Sequence, residues 1–287
     1  MTIRSDSVLR TASLTLLAML AFAGNSLLCR AALQQGAIDA ASFTAIRLVA
    51  GAVVLWLLVR CRAGKTQGPG SWTSALALFG YAAAFSFAYI SLDTGVGALL
   101  LFGAVQATMI GYGLFQGERF SVAQWLGLVL ALSGLAGLML PGASAPPWSG
   151  ALLMLLAGVA WGVYSLRGRG AGDPTRVTAG NFLRAAPMAL GLALFFLSQQ
   201  ALSSAGVLYA IASGALASGM GYAVWYAVLP RLRASSAATI QLSVPVLASL
   251  GGVMLLGEAL TLRLLLASVA ILGGIALVIL QKKPAAG

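Results

Sequence analysis

Long apolar runs, separated by short breaks, repeat along the whole chain. Ten runs fall at about 11–33, 40–59, 72–92, 95–116, 121–140, 148–167, 177–199, 204–229, 235–256 and 261–280. Each holds about twenty residues, enough for a helix rising ~1.5 Å per residue to cross ~30 Å of hydrocarbon. The breaks carry turn residues or charges, as at Gly64 to Gly70, Pro141 to Pro147 and Gly168 to Pro174. The pattern predicts an all-α integral membrane protein of about ten transmembrane helices.

Composition agrees. Of 287 residues, 60% are hydrophobic and 8% charged, against roughly 25% charged in soluble domains. Ten spans consume about 200 residues, which leaves short connections and no room for a soluble catalytic domain. The net charge of +11 would suggest nucleic acid if the basic residues were clustered, but they alternate. Thirteen of the 17 Lys and Arg fall on one side: Arg4 and Arg10; Arg60, Arg62 and Lys65; Arg119; Arg167, Arg169 and Arg176; Arg231 and Arg233; Lys282 and Lys283. Arg30 and Arg263 lie near the other side, and Arg47 and Arg184 lie within spans. Basic loops stay in the cytoplasm, so both termini are expected there. The charge therefore orients the chain and implies no nucleic-acid partner. The first span has a basic flank and a cleavage-site look-alike at Ala21-Phe22-Ala23, yet the repeat described next needs it. Histidine is absent, and Cys29 and Cys61 match no metal spacing and fall at opposite faces. No metal, cofactor or mutual disulfide is expected.

An internal repeat organises the runs. A shift of 140 lays Gly117-Glu118 on Gly257-Glu258, and the chain has only these two glutamates. A shift of 137 lays Arg47 on Arg184, and a shift of 138 lays Phe22-Ala23-Gly24 on Ala160-Trp161-Gly162. Residues 1–141 and 148–287 are thus expected to form two five-helix repeats. An odd number of spans per half makes the second enter from the opposite side. Inverted repeats suit alternating access around a midplane site.

These residues resemble the drug/metabolite transporter superfamily, in particular its EamA-type two-repeat members. The resemblance rests on Trp161-Gly162, Arg47 and Arg184, Pro245, and the two Gly-Glu pairs, and it covers nearly the whole chain. Ala23 replaces the tryptophan in the first repeat, and no first-repeat proline matches Pro245. Within the superfamily the chain is most similar to YddG-type exporters of aromatic amino acids. That similarity implies a bacterial inner-membrane exporter of aromatic or other hydrophobic amino acids.

Polar groups inside a bilayer are costly, so the retained ones are site candidates. All six acidic residues fall in loops or at span ends. No buried carboxylate is available to exchange a proton for a cation, which favours passive, uniporter-like movement. Glu118 and Glu258 read either as caps of the helices they precede or as substrate contacts. Arg47 and Arg184 read as snorkelling or as bound to neighbouring helix ends, or alternatively as partners of a substrate carboxylate or a gate. Tyr81, Phe85 and Tyr89 recur every four residues along one helix face. Trp161 and Tyr222 lie similarly deep, whereas Trp72, Trp125 and Trp148 suit the interfacial belt. Asn25, Gln106, Gln241 and Ser243 could hydrogen-bond a zwitterion, or could simply join helices. The substrate-binding candidates are therefore Trp161, Tyr81, Phe85, Tyr89, Asn25, Gln106, Tyr222, Gln241 and Ser243. Gly95, Gly97, Gly219 and Gly221 are read as close-packing positions or flexible points. Gly127, Gly134 and Gly137 with Ala267, Gly273 and Gly274 are read as close-packing positions between the fifth and tenth helices.

A carrier of amino acids is the leading expectation, with the bilayer and a small solute as partners. A carrier of sugar- or nucleotide-derived metabolites would want more buried polar groups. A membrane enzyme would need a nucleophile, base or metal within the spans, and none is found. A non-transporting membrane partner would show no solute flux.

Overall fold

The computed structural model describes residues 2–61, 69–142, 145–168, 171–196, 201–232 and 234–280. Of the basic residues counted above, Arg62, Lys65, Arg169, Arg233, Lys282 and Lys283 lie outside them, as does the Arg4 side chain. The elements are α1 (Thr2–Gln34), α2 (Ala40–Arg60), α3 (Trp72–Ala88), α4 (Thr94–Phe115) and α5 (Val122–Met139), then α6 (Trp148–Gly168) and α7 (Pro174–Phe195). Next come α8 (Ser204–Arg231), α9 (Ala234–Gln241 and Ser243–Leu256) and α10 (Leu262–Leu280). Among the described residues nine helices are long and apolar enough to cross a membrane, and α3 is a shorter apolar helix of 17 residues. Turn-like backbone bonds carry α3 onward, from Ile90 to Phe87 and from Leu92 to Ala88, which adds rise without full helical geometry.

Polar residues set the helix ends. Asp39, Ser71, Ser121, Asp173 and Ser203 each accept a backbone N–H of the following helix, and Ser121 forms a capping box with Gln124. Two helices are irregular. α8 contains a π-helical stretch, Ser213–Met220, in which Gly214 lies against the Arg47 carbonyl and leaves no room for a side chain. α9 breaks at Leu242 because Pro245 has no N–H to continue the ladder. Ser243 Oγ donates to the Ile240 carbonyl at 2.7 Å across the break.

The packing repeats with the halves exchanged. α3 and α4 pack on α6, as α8 and α9 pack on α1. α2 meets α7, α4 meets α9, and α5 meets α10. This is the contact pattern that two inverted five-helix units produce. Small residues permit the closest crossings. Gly127 and Gly274 bring α5 and α10 into backbone contact, and Gly134 receives Ala270 and Ile271, whereas Gly137 and Gly273 face open space. Gly95 lies on Ser249, Gly97 on the Tyr89 ring, Gly219 near Val54 and Gly221 on Ala21, so these four are packing positions. Leu126, Val129, Leu266 and Val269 point outward, exposed, as side chains bathed in lipid do. Trp72, Trp125 and Trp148 are likewise exposed near helix ends.

Candidate functional site

A cavity of about 460 Å³ lies between α1, α3, α4 and α6 on one side and α7, α8 and α9 on the other. Trp161 is the hub of its wall. Its ring centroid lies 4.8 Å from Tyr81, 5.2 Å from Tyr164 and 5.3 Å from Tyr222. Tyr81 in turn meets Phe85 at 5.4 Å, and Tyr222 meets Phe22 at 5.7 Å. Four helices thus contribute rings to one connected layer of apolar faces with polar edges. From this layer the cavity runs past Ser165 and Thr178 to Gly168, Gly172, Pro174 and Leu229, toward the side that carries the basic loops.

The other end is closed by ties within the first half and between the two halves. Arg30 on α1 donates through Nη1 to the carbonyls of Tyr89 and Ile90, both at 3.1 Å, and pairs with Asp93 at 3.2 Å. Its Nε lies 3.4 Å from Glu258. Glu258 also accepts the Thr94 backbone N–H and hydroxyl, each at 2.9 Å. Of the two readings of this glutamate, a cap of the helix it precedes or a substrate contact, the structure matches neither: Glu258 caps α4 of the opposite repeat. Its own helix α10 is capped by Thr261, which accepts the Leu264 N–H at 3.1 Å. The reason is the left-handed turn at Gly257, which folds the Glu258 carboxylate back against Gly252 beside Thr94. Nearby, an antiparallel bridge pairs Ile38 with Leu202, and Ser203 N–H donates to the Ala37 carbonyl at 2.8 Å.

Six of the nine candidates line the cavity: Trp161, Tyr81, Phe85, Asn25, Tyr222 and Gln241. Three do not. Tyr89 is fully buried in the closed end and donates to the Thr94 carbonyl at 3.3 Å. Gln106 is buried on α4 but off the lining face, which is formed by Leu101, Phe102, Val105 and Met109. Ser243 lies in a separate, more open groove beside Arg10 and Arg231, its hydroxyl turned to Ile240 by the break in α9. A 3.6-residue period identifies a face but not the neighbour that covers it. Phe22 and Thr178 also line the cavity and carry no distinguishing sequence signal beyond their place in apolar runs; Trp225 and Tyr226, whose spacing from Tyr222 puts one or the other on its helix face, both line it.

Arg47 departs most from expectation. It does not snorkel: its side chain is 1% exposed, enclosed behind the cavity wall by Tyr81 and Phe85. The guanidinium carbon stands 5.2 and 4.9 Å from those ring centroids. Nη2 donates to Tyr81 Oη at 2.9 Å, while Nε and Nη1 have no partner among the described residues. Arg184 follows the bland expectation. It donates to the carbonyls of Pro69, at 2.5 Å, and of Gly180, at 2.9 Å.

Among the described residues no cluster of His, Cys, Asp or Glu could hold a metal ion. Ten helices in inverted halves, an aromatic-walled chamber open at one end and a polar closure at the other describe a membrane carrier. The EamA-like transporter family model matches residues 9–140 and 148–280, one copy per half, and the chain belongs to that family. It is 61% identical to an uncharacterized protein of Pseudomonas aeruginosa over 94% of both chains. It is 28% identical to an uncharacterized transporter of Archaeoglobus fulgidus, over 72% of this chain and 77% of that one. With the uncharacterized transporter YoaV of Bacillus subtilis it shares 26% identity over 81% and 85%. A solved crystal structure of a protein 22% identical superposes with a TM-score of 0.67, covering 93% of this chain and 98% of its own. That likeness speaks to fold alone.

Proposed function

We propose that this transporter is a facilitative carrier of aromatic and other hydrophobic amino acids, exporting them across a bacterial inner membrane with both termini cytoplasmic. The two five-helix repeats rock around the chamber, and the closed end and the basic-side mouth exchange roles. The observation that carries this reading is the Trp161-centred ring layer across a cavity of about 460 Å³, a size and lining suited to one small apolar solute. The absence of a carboxylate within the spans favours movement without proton exchange.

Flux into liposomes tests it, using labelled phenylalanine, tryptophan, threonine, glucose and a quaternary cation, with and without a proton gradient. Gradient-independent uptake of the two aromatic amino acids, reduced in Trp161→Ala, is the expected result. Flux of glucose or the cation in their place would overturn the substrate assignment.

A further inference from the structure

The buried guanidinium of Arg47 lacks a counter-charge. The acidic side chains described, Asp39, Asp93, Glu118, Asp173 and Glu258, all sit at helix ends or in connections. The groups around Arg47 are the phenols of Tyr81 and Tyr222 and the thiol of Cys29. Two of its three nitrogens are unpartnered. A buried cation left in this state is costly, and such a cost is retained where a ligand repays it.

The polar connections lead from this charge to the chamber. Tyr81 Oη accepts from Arg47 Nη2 at 2.9 Å and from Asn25 Nδ2 at 3.3 Å. Asn25 is itself oriented by Ser213, whose hydroxyl donates to Oδ1 at 2.6 Å. A phenol that accepts two hydrogen bonds still holds its own proton to donate. Both Tyr81 and Asn25 line the chamber, so that donor is polarised by the cation behind it and is available where a solute would lie. The field of an uncompensated positive charge in a low-dielectric wall attracts anions and repels cations.

We infer that the Arg47–Tyr81–Asn25 cluster is an anion-docking point that makes the carrier selective for solutes bearing a carboxylate. The ring layer around Trp161 takes the apolar part of the solute, and the cluster takes its acid group. Amines and amides of the same shape are rejected. This inference rests on the proposed aromatic-solute chamber and adds the charge of its ligand.

Thermal unfolding of the purified protein in detergent, titrated with phenylalanine, phenylalaninamide and 3-phenylpropionate, separates the two ideas. The carboxylates should bind at least about tenfold more tightly than the amide, as expected for a charge-assisted hydrogen bond. Arg47→Gln should abolish that ratio and Arg47→Lys should keep part of it. Tyr81→Phe, which removes only the hydroxyl, should reduce it without emptying the wall. Equal binding of phenylalanine and its amide by the unmodified protein would overturn the docking point and leave the carrier intact. Binding of 3-phenylpropionate but not phenylalanine would support the docking point and overturn the amino-acid reading. No shift with any carboxylate would overturn both.

Discussion

Arg47 and Arg184 each lie on the second helix of their half, Arg47 eight residues past the capping Asp39 and Arg184 eleven past the capping Asp173, and the structure gives them opposite surroundings. Arg184 reaches back toward the basic side, where the Pro69 and Gly180 carbonyls accept its hydrogens. Arg47 is sealed behind Tyr81 and Phe85 with two nitrogens unpaired. The difference comes from what packs on each helix. Gly180 admits the Pro69 carbonyl to the side of α7 that Arg184 uses. α2 instead meets the π-helical part of α8, where Gly214 takes up the Arg47 carbonyl and leaves the guanidinium to the aromatic face of α3. The same residue type on the second helix of each half therefore does not have the same role: the neighbouring helices decide which arginine is closed by backbone and which is left with two nitrogens unpartnered behind the chamber wall.

Several measurements would break or sharpen that contrast. The largest effect is expected at Arg47 itself. Arg47→Gln should lower the flux of carboxylate-bearing solutes into liposomes by about tenfold or more, in line with losing a charge-assisted bond. Unchanged flux would erase the distinction between the two arginines. Next is Trp161→Ala, which removes the central ring of the layer. Loss of one solute–ring pair, worth roughly 0.5–1.5 kcal/mol, should raise the apparent KM for an aromatic solute by up to about tenfold, with smaller change for threonine.

The two glutamates lie alike, Glu118 against Gly113 and Glu258 against Gly252, but at opposite ends of the molecule, and the native thiols can tell them apart. Cys29 is buried and Cys61 exposed. In a Cys61→Ser background, Glu258→Ala should loosen the closed end and raise the rate of Cys29 alkylation several-fold. It should also destabilise the fold by about 1–3 kcal/mol, the cost of leaving the Thr94 N–H without its acceptor. Glu118→Ala acts at the other end of the molecule and should leave Cys29 as protected as before. Equal labelling in both variants would show that the Arg30–Glu258–Thr94 tie does not hold that end shut. The smallest effect is expected for Arg184→Gln, within about twofold in flux, because exposed charge contacts contribute little.

Much of the architecture was legible because membrane helices announce themselves locally. Length and apolarity are properties of a segment alone, and the alternation of Lys and Arg needs only the order of segments. Pro245 similarly forecast the irregularity seen at Leu242, since a missing N–H breaks the ladder wherever the helix packs. Trp161, Tyr81 and Tyr222 were visible as large amphipathic rings deep in apolar runs. Tyr89 bore the same signature, and Ser243 that of a polar group in a span, and their neighbours put both elsewhere. Phe22 was hidden because a phenylalanine in a membrane span serves lipid contact, packing and chamber lining with equal ease.

The sequence by itself determined that this protein spans a membrane about ten times, in two related halves whose basic loops share one side, because the bilayer imposes hydrophobicity and charge rules on each segment independently. Only the tertiary structure decided where the charges go. Glu258 serves the opposite repeat and Arg47 donates only to Tyr81, because a long side chain finds its partners on other helices, and helix neighbours are chosen by packing across the whole bundle.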